Sequence, residues 1–289
     1  MSEEILRNRK NESLPKFDRS VSLLCWVYNE EDLIGDYLEK AARLMNDTVE
    51  DYEIILIDDG STDRTYQIAS SFQKTRLQLK IYRNKRNLNI GISFIRAIQR
   101  ATKEYLFWQT IDWSYDISDL RTFLEYLKDY DIVQGVRRNP VSVKFGLLKP
   151  VAAVLKLFGI KDLIKRSDTV AKAVVSVINY ALIRVLFRVP ISDFQNVTLY
   201  PSKWTKSIKY EAKSSFVNPE GLIKSYWNGM TIKEVPISFI PRTKGKAKGV
   251  TPKTITNSVK DILLLWFKWV VLGRRGRISK GKVYRLEPK

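Results

Sequence analysis

The residues that could do chemistry in this chain are mainly carboxylates, because the sequence contains no histidine. Without imidazole, Ser-His-Asp and Cys-His nucleophilic sites are excluded, and so are zinc sites built on histidine. Acid–base or metal chemistry must then rest on Asp, Glu, Lys, Arg, Tyr or the single cysteine, Cys25. Several acids directly follow short apolar runs, among them Asp58 and Asp59 after "YEIILI" and Asp112 after "YLFWQTI".

Those acids stand at the ends of strands in a repeating strand–helix pattern. Short runs rich in β-branched and aromatic residues predict strands, and apolar residues at helical spacing predict helices between them. Such alternation with short connections is typical of an open, mostly parallel α/β sheet wrapped by helices. The predicted strands are 21–29, 52–63 with its turn, 79–84, 105–111 and 131–138, and the predicted helices are 30–45, 65–73, 91–102 and 117–129.

Four of the predicted strands end in polar residues. Ligands of open α/β sheets bind beyond the carboxyl ends of the strands. Each end alone also fits a common turn or helix cap, for example Asp116 before the next helix. Because the ends fall at successive strands, we predict that they form one site. They are Tyr28-Asn29-Glu30, Asp58-Asp59-Gly60-Ser61, Thr110 to Asp116, and Arg137-Arg138.

Composition limits the compartment and the partners. The formal net charge of +19 indicates a polyanionic partner, which could be nucleic acid, a phosphorylated substrate or an anionic membrane surface. A single cysteine cannot form an intrachain disulfide, which is typical of a reducing compartment. The first 19 residues lack the apolar stretch of a signal peptide. The longest apolar run, 262–272, is shorter than the roughly 20 residues that span a bilayer.

Four segments make the chain resemble the inverting family 2 glycosyltransferases with the GT-A fold, in particular the dolichol-phosphate mannose synthase type. "VYNEE" (27–31) resembles the family's opening motif, and "IDDGSTDRT" (57–65) matches its second motif. "DIVQGVR" (131–137) resembles a later strand end. "SYWNGMTIKEVPISFIPRTKGKAK" (225–248) resembles the closing segment, interpreted as an edge strand followed by a basic loop.

The resemblance implies a nucleotide-sugar donor and the residues that bind it. Asp59 would face the base or the ribose, and Arg137 would approach the donor from the fifth strand. Arg242 and Lys248 would close on a diphosphate or an acceptor phosphate as a lid. The full implied set is Trp26, Tyr28, Glu30, Ile57, Asp59, Thr110, Ile111, Arg137, Arg242 and Lys248.

The resemblance also implies a divalent cation, Mg²⁺ or Mn²⁺. The family's Asp-x-Asp motif falls on Thr110-Ile111-Asp112, so Asp112 is the remaining acid and Thr110 replaces the first one. Ser114 stands where the family often has a glutamine ligand. The cation would offset negative charge on the leaving diphosphate, and one or two carboxylates suffice because such ions keep several waters. Asp112 is therefore the first implied catalytic residue.

Asp193 is the second implied catalytic residue. It lies in "PISDFQNVTLYP" (190–201), which loosely resembles the family's acceptor segment. Its carboxylate would position the acceptor or act as a general base. A phosphate acceptor is already ionised and needs no base, whereas a sugar hydroxyl does.

Residues 138–189 lie outside the sheet pattern, and the segments 145–187 and 262–285 predict contact with a membrane surface. Both combine apolar stretches with Lys and Arg, and the second adds tryptophans. An apolar stripe is usually core, but this combination is typical of helices that lie in a bilayer interface. We expect helices over 145–160 and 171–187, and we expect that deleting 262–289 leaves the sheet folded. The stripe of the second helix is Val174, Val175, Ile178, Ala181, Leu182 and Val185.

The leading hypothesis is transfer of a sugar from a GDP- or UDP-sugar to polyprenyl or dolichyl phosphate. The enzyme would sit on the cytoplasmic face of an anionic membrane without spanning it. Transfer to the hydroxyl of a glycan or lipid-linked saccharide stays open, as does a catalytically impaired homologue that only binds nucleotide sugars. Nucleic acid is disfavoured because the basic residues accompany apolar helices and not a base-stacking face.

The same reasoning predicts three parts of the chain. Residues 1–19 would be a polar tail, and residues 20–250 would form the GT-A domain, with 138–189 as a helical insertion. Residues 251–289 would form a basic membrane-interface helix and tail.

Overall fold

An eight-stranded, mostly parallel sheet organises the residues that the computed structural model describes, namely 15–137, 180–238, 240, 242, 251–275 and 278–285. The strands are β1 (Val21–Val27), β2 (Tyr52–Asp58), β3 (Leu79–Arg83), β4 (Tyr105–Trp108), β5 (Ile132–Arg137), β6 (Thr198–Pro201), β7 (Thr231–Ile237) and β8 (Lys282–Arg285). The helices are α1 (Glu31–Thr48), α2 (Thr65–Gln73), α3 (Ile90–Arg100), α4 (Leu120–Glu125), α5 (Ser202–Ser207), α6 (Val217–Trp227) and α7 (Pro252–Trp266).

The strand order is β3-β2-β1-β4-β6-β5-β7-β8. Only β6 among these strands runs against its neighbours, pairing antiparallel with β4 and β5, and the other pairs are parallel. β6 runs opposite to β4, and β5 runs opposite to β6. β5 and β7 therefore point the same way as β1, β2 and β4. The carboxyl ends of these five strands therefore meet at one edge of the sheet, as the sequence predicts.

The central strands are buried on both faces, which explains their continuous apolar runs. Successive residues of a strand point to opposite faces. Leu23 of β1 accordingly packs in a cluster with Ile34 and Leu38 of α1, while Leu24 packs in a second cluster with Phe94 of α3. The sheet separates these two clusters, with α1 on one face and α3 on the other.

The fourth strand ends at Trp108, three residues before the predicted end at 111. The side chain of Gln109, directly after the strand, bonds to the backbone of the following loop. Its Nε2 donates to the carbonyl of Tyr115 at 2.7 Å, and its Oε1 accepts from the backbone N–H of Thr110 at 2.9 Å. This local bonding closes a loop over residues 109–116, which carries Asp112.

The carboxyl-terminal segment contributes more to the sheet than the sequence predicts. β8 pairs in parallel with β7, so β7 is an inner strand, and its interpretation as an edge strand is wrong. At the other end of the chain, Phe17 is buried and forms a bridge with Val49, so the predicted polar tail includes a core residue.

The packing of this segment argues against the expectation that residues 262–289 are dispensable for folding. A π-helical turn, Phe267–Val271, continues α7. Trp269 in this turn is 1% exposed. Its ring lies 5.7 Å from Phe187 and 6.0 Å from Trp227, centroid to centroid. Removing this ring and β8 would open the core, because a buried tryptophan contributes about 3–5 kcal/mol of packing.

Only part of the predicted amphipathic insertion can be compared. The predicted helix over 145–160 and residues 171–179 lie outside the described residues, whereas residues 180–187 are helical. The buried face of this helix is Tyr180, Ile183 and Phe187. Of the predicted stripe only Ala181, Leu182 and Val185 are described; the first two are half-buried and Val185 is exposed, so this part of the stripe is not the buried face.

Candidate active site at the carboxyl edge of the sheet

The structure gathers the predicted polar residues at the carboxyl edge. Glu30 follows β1, Asp59 follows β2, Asp112 lies in the loop after β4, Arg137 ends β5 and Arg242 follows β7. The first two loops are joined directly. The backbone N–H of Asn29 donates to the hydroxyl of Ser61 at 2.9 Å, and the N–H of Thr62 donates to the side-chain oxygen of Asn29 at 2.7 Å.

Asp59 is buried, and one of its oxygens is already bonded. Oδ1 accepts from Asn84 Nδ2 at 2.6 Å and from the backbone N–H of Leu88 at 2.9 Å. Gly60 lets the backbone of residues 86–88 come close to Asp59. Its φ is +77°, and a Cβ there would lie 2.6 Å from the carbonyl carbon of Arg86. Asp59 is thus held in place through Oδ1, and its role in binding the base or ribose stays a prediction.

Asn84 is a site residue that the sequence analysis did not include. It directly follows β3, donates to Asp59 and to Ser93 Oγ at 3.1 Å, and accepts from Arg96. The signal was present in the sequence, since Asn84 is the polar residue at the end of the third strand. The other acid of this turn, Asp58, is bound by Arg83 at 2.9 Å and by the N–H of Ser61 at 3.0 Å.

Asp112 sits on a loop that a buried tryptophan fixes. Trp113 has a φ of +53°, in the left-handed region, and its ring packs 5.5 Å from the ring of Tyr37 on α1. The strained backbone is held by this packing. Asp112 Oδ1 accepts from the hydroxyl of Ser114 at 2.6 Å and from its N–H at 3.2 Å. Thr110 Oγ1 accepts from the same N–H at 3.1 Å, so Thr110 shapes the loop.

Arg242 reaches back across this edge from the segment after β7. That segment pairs with the Asp112 loop, because Asp116 N–H donates to the carbonyl of Ser238 at 3.1 Å and Ile240 N–H donates to that of Ser114 at 2.8 Å. The guanidinium bonds to Glu30 through Nη2. Its Nη1 lies 3.9 Å from Asp112 Oδ2. Three strand ends therefore meet at one arginine.

Arg137 and Asp193 form a buried ion pair. Arg137 Nε lies 2.9 Å from Asp193 Oδ2, and Nη2 lies 3.1 Å from Oδ1. Asp193 is 0% exposed and accepts further bonds from Asn196 and the N–H of Gln195. Arg137 also donates to the hydroxyl of Tyr180. This carboxylate is fully engaged in orienting Arg137.

The remaining predicted donor residues differ in how they are placed. Trp26 is half-buried, with its ring 5.3 Å from that of Phe94 in a T-shaped arrangement, and Tyr28 is half-buried. Ile57 is a core residue at 1% exposed, and Ile111 packs partly against the core. Lys248 lies outside the described residues, so its role stays a prediction.

A divalent cation fits the donor set on one carboxylate. Asp112 Oδ2 is the oxygen not bonded by Ser114, and it faces the edge beside Arg242. Among the described residues no group of three or more His, Cys, Asp or Glu could hold a metal ion. Mg²⁺ and Mn²⁺ accept phosphate and water oxygens beside one or two carboxylates, so a donor diphosphate would have to complete this site. Ser114 would orient Asp112, and its role as a direct ligand stays a prediction.

The thiol under this edge is not available for nucleophilic chemistry. Cys25 lies in β1 and is 1% exposed. Burial raises the pKa of Cys25 to about 12, with the neighbouring Tyr37 hydroxyl acting in the opposite direction. The thiolate is the reactive form of cysteine. The chemistry of the site therefore rests on carboxylates and arginines.

The family model for glycosyl transferase family 2 matches residues 22–183, more than half of the chain. The matched region begins in β1 and includes Glu30, Asp59, Asp112 and Arg137. The chain belongs to glycosyl transferase family 2. The family that the motifs resemble is thereby confirmed.

Two curated relatives of this glycosyltransferase have specific names. Dodecaprenyl-phosphate galacturonate synthase of Rhizobium johnstonii is 29% identical over 122 residues, 41% of this chain and 36% of the relative. Cholesterol galactosyltransferase of Borreliella burgdorferi is 32% identical over 107 residues, 37% of this chain and 28% of the relative. The chain thus spans well under half the length of each.

Solved structures confirm the GT-A architecture of this glycosyltransferase. Glucosyl-3-phosphoglycerate synthase from Mycobacterium tuberculosis, solved with Mn²⁺ and UDP, aligns with a TM-score of 0.53 at 13% identity, covering 90% of this chain and 81% of that one. TarS from S. aureus, solved with UDP-GlcNAc, aligns with a TM-score of 0.51 at 15% identity, covering 85% and 66%. At this identity the likeness shows the fold alone.

Proposed function

We propose that this glycosyltransferase moves a sugar from a UDP- or GDP-sugar to polyprenyl or dolichyl phosphate at the cytoplasmic face of a membrane, with inversion. The observation that carries the proposal is the meeting of Asp59, Asp112 and Arg242 at one edge of the sheet. A buried carboxylate suits the base or ribose of a nucleotide, and the Asp112–Arg242 side suits its diphosphate. The fold neighbours solved with UDP and with UDP-GlcNAc support a nucleotide-sugar donor.

The residues of the edge would divide the work of the transfer. Asp59 would hold the nucleoside, while Arg242 would bind the diphosphate oxygens as the C–O bond to the anomeric carbon breaks. Mg²⁺ or Mn²⁺ held by Asp112 would supply Lewis-acid stabilisation of the leaving diphosphate. The electron pair of the broken bond stays on the nucleoside diphosphate. An acceptor oxygen forms the new bond from the opposite face of the sugar.

The engaged state of Asp193 favours a phosphate acceptor. A hydroxyl acceptor needs a base that takes its proton, whereas a phosphate oxygen attacks without proton transfer. Asp193 would have to give up Arg137 and Asn196 to act as that base. Its geometry favours positioning Arg137, and its role as a base stays a prediction. The name of the dodecaprenyl-phosphate relative supports the same acceptor class.

Transfer to the hydroxyl of a glycan or lipid-linked saccharide remains the second candidate. The relative named cholesterol galactosyltransferase supports a hydroxyl acceptor in general. Acceptors that differ only in the phosphate separate the two. We expect product with undecaprenyl or dolichyl phosphate and none with the matching alcohols, using a panel of labelled UDP- and GDP-sugars. Product with the alcohols would favour the second candidate, and no transfer from any donor would contradict the proposal.

Two carboxylate variants test the donor half of the site. Asp59→Asn should weaken nucleotide binding with or without metal. Asp112→Asn should lower kcat about a hundredfold while the protein stays folded, because it removes charge stabilisation at the leaving group. Asp116→Asn is the matched control, since Asp116 binds its own loop through Ser118 Oγ at 2.7 Å. Unchanged turnover in Asp112→Asn would place the reaction elsewhere.

The outer face of α7 supports the membrane part of the proposal. Ile262, Leu265 and Trp269 are buried on the inner side of this helix. The outer face carries exposed apolar side chains, with Leu264 65% exposed. In the described part of the chain no helix is long and apolar enough to cross a bilayer. The outer face comprises Val259, Leu263, Leu264, Phe267, Val271 and Leu272, with Lys253, Lys260, Arg274 and Arg275 exposed in the same segment.

Sedimentation with phosphatidylglycerol vesicles tests this face. We expect binding that weakens in high salt but persists, because salt screens the charges and not the apolar contact. Leu264→Asp/Phe267→Asp should reduce the bound fraction about tenfold or more, since each apolar side chain buried in the interface contributes favourably. Leu77→Asp is the control, because Leu77 is 92% exposed in the turn between α2 and β3, outside this face. Equal binding by the double variant and the wild type would contradict the assignment.

A further inference from the structure

Arg242 lies beside the carboxylate oxygen that a divalent cation on Asp112 would use. Ser114 already occupies Asp112 Oδ1, through its hydroxyl and its N–H. Only Oδ2 remains for a metal, and Arg242 Nη1 lies 3.9 Å from it. We propose that Arg242 and the metal ion are alternative partners of Asp112 in the donor-free enzyme, and that a bound diphosphate lets both stay. This inference rests on the proposed function for the identity of the diphosphate.

Glu30 holds the Arg242 guanidinium beside Asp112 Oδ2. The guanidinium bonds to Glu30 through Nη2, and the Glu30 side chain is almost fully buried. The backbones of Ser238 and Ile240 are hydrogen-bonded to the Asp112 loop, which anchors the chain just before Arg242. The position of Arg242 therefore belongs to the fold of the edge and is not a chance contact of an exposed side chain.

The charges explain why the competition depends on the donor. Glu30 and Asp112 carry two negative charges, and Arg242 offsets one of them, while Thr110 adds none. A divalent cation on Oδ2, at its usual distance of about 2.1 Å, would lie within about 6 Å of Nη1 and be repelled by it. The three charged groups and the metal would then sum to one excess positive charge.

A diphosphate removes that excess. It brings at least two negative charges, and its oxygens can ligate the metal while the fork of Arg242 bonds to them. Arg242 thus opposes metal binding when the site is empty of nucleotide and favours it when nucleotide is present. Because binding couplings are reciprocal, the metal also favours nucleotide more strongly when Arg242 is intact.

The test measures Mn²⁺ binding to the full chain by the loss of the free-ion signal in electron paramagnetic resonance. Without nucleotide, Arg242→Gln should bind Mn²⁺ about tenfold more tightly than the wild type. With saturating UDP or GDP, the same variant should bind Mn²⁺ more weakly than the wild type. Arg64→Gln is the matched control, because Arg64 is an exposed arginine paired with the neighbouring Glu31 and should change neither value.

The reversal of sign is the decisive result. Equal Mn²⁺ affinities for the wild type and Arg242→Gln, or a change in the same direction with and without nucleotide, would overturn the proposal. If Arg242→Gln does not fold, Arg242→Lys carries the test, with a gain of about two- to threefold because lysine cannot bridge both carboxylates. If neither nucleotide alters Mn²⁺ binding to the wild type, the proposed donor class fails, while the nucleotide-free comparison still decides the competition.

Discussion

Two aspartate–arginine pairs at the same edge of the sheet differ in how completely they are made. Asp193 and Arg137 are joined by two short contacts, at 2.9 and 3.1 Å, in a site without solvent access. Asp112 and Arg242 approach to 3.9 Å, and the arginine bonds to Glu30 instead. The two pairs contain the same residue types, so chemistry alone does not explain the difference.

The surroundings of each pair explain it. Asn196 and Gln195 add bonds to Asp193, which leaves that carboxylate nothing to offer a ligand. Ser114 engages one oxygen of Asp112 and leaves the other facing the edge. A fully bonded pair positions a neighbour, whereas a partly bonded one can exchange partners when a ligand arrives. The comparison predicts that the first pair matters for stability and the second for binding.

The largest expected effect on stability is at Asp193. Asp193→Asn leaves the buried Arg137 guanidinium without its counter-charge, so the free energy of unfolding should fall by about 3–5 kcal/mol. Urea denaturation followed by tryptophan fluorescence measures the loss. Asp112→Asn is the comparison variant and should cost less than about 1 kcal/mol.

An equal cost for both substitutions would show that the two pairs are not different in kind. A stable Asp193→Asn variant with lost activity would instead support the role of Asp193 as a base. Both measurements use the same purified proteins, so the comparison does not depend on knowing the substrate.

A smaller effect is expected at a third carboxylate, on the opposite edge of the sheet. Glu53, in β2, accepts from Ser22 Oγ and Lys80 Nζ, both at 2.6 Å, and from Thr102 Oγ1 at 2.9 Å. Burial opposes its ionisation, but these hydrogen bonds outweigh burial and lower the pKa of Glu53 from 4.5. A lowered pKa stabilises the fold above 4.5, and this stability is lost as the pH falls through the folded value.

Glu53→Gln should therefore reduce the free energy of unfolding by about 1–3 kcal/mol at pH 7, with the difference from wild type shrinking in acid below 4.5. Urea denaturation at neutral and acidic pH measures this change. Glu50→Gln, at an exposed position three residues earlier, is the control and should change stability by less than about 0.5 kcal/mol. A pH-independent difference would show that Glu53 acts through packing and not through its charge.

Local patterns in the sequence predict the sheet, its polar edge and most of the residues there. Asp59 and Asp112 are found because each follows an apolar run, and strand ends of one direction must meet. Asn84 follows the same rule and could have been included. Hydrophobic periodicity and motif spacing are local signals, so they predict strands, helices and the polar residues that directly follow them.

The partners of these residues depend on contacts that no local pattern encodes. Arg242 and Glu30 are 212 positions apart, and Arg137 and Asp193 are 56 apart. Their meeting follows from the strand order, in which β6 enters between β4 and β5. The strand β8, "KVYR", resembles a basic tail in sequence because three of its four side chains are exposed. Its pairing with β7 appears only when the backbone is in place.

The position of β8 also bears on how the protein is made. During synthesis the chain emerges from the ribosome amino end first, so β1 to β7 are available well before residues 282–285. Until then β7 presents an unpaired edge, and such edges can pair with other chains. Trp269 and the inner side of α7 arrive in the same late stretch. We infer that the nascent protein is most prone to aggregation shortly before its synthesis reaches β8, and that chaperone demand is concentrated in that interval.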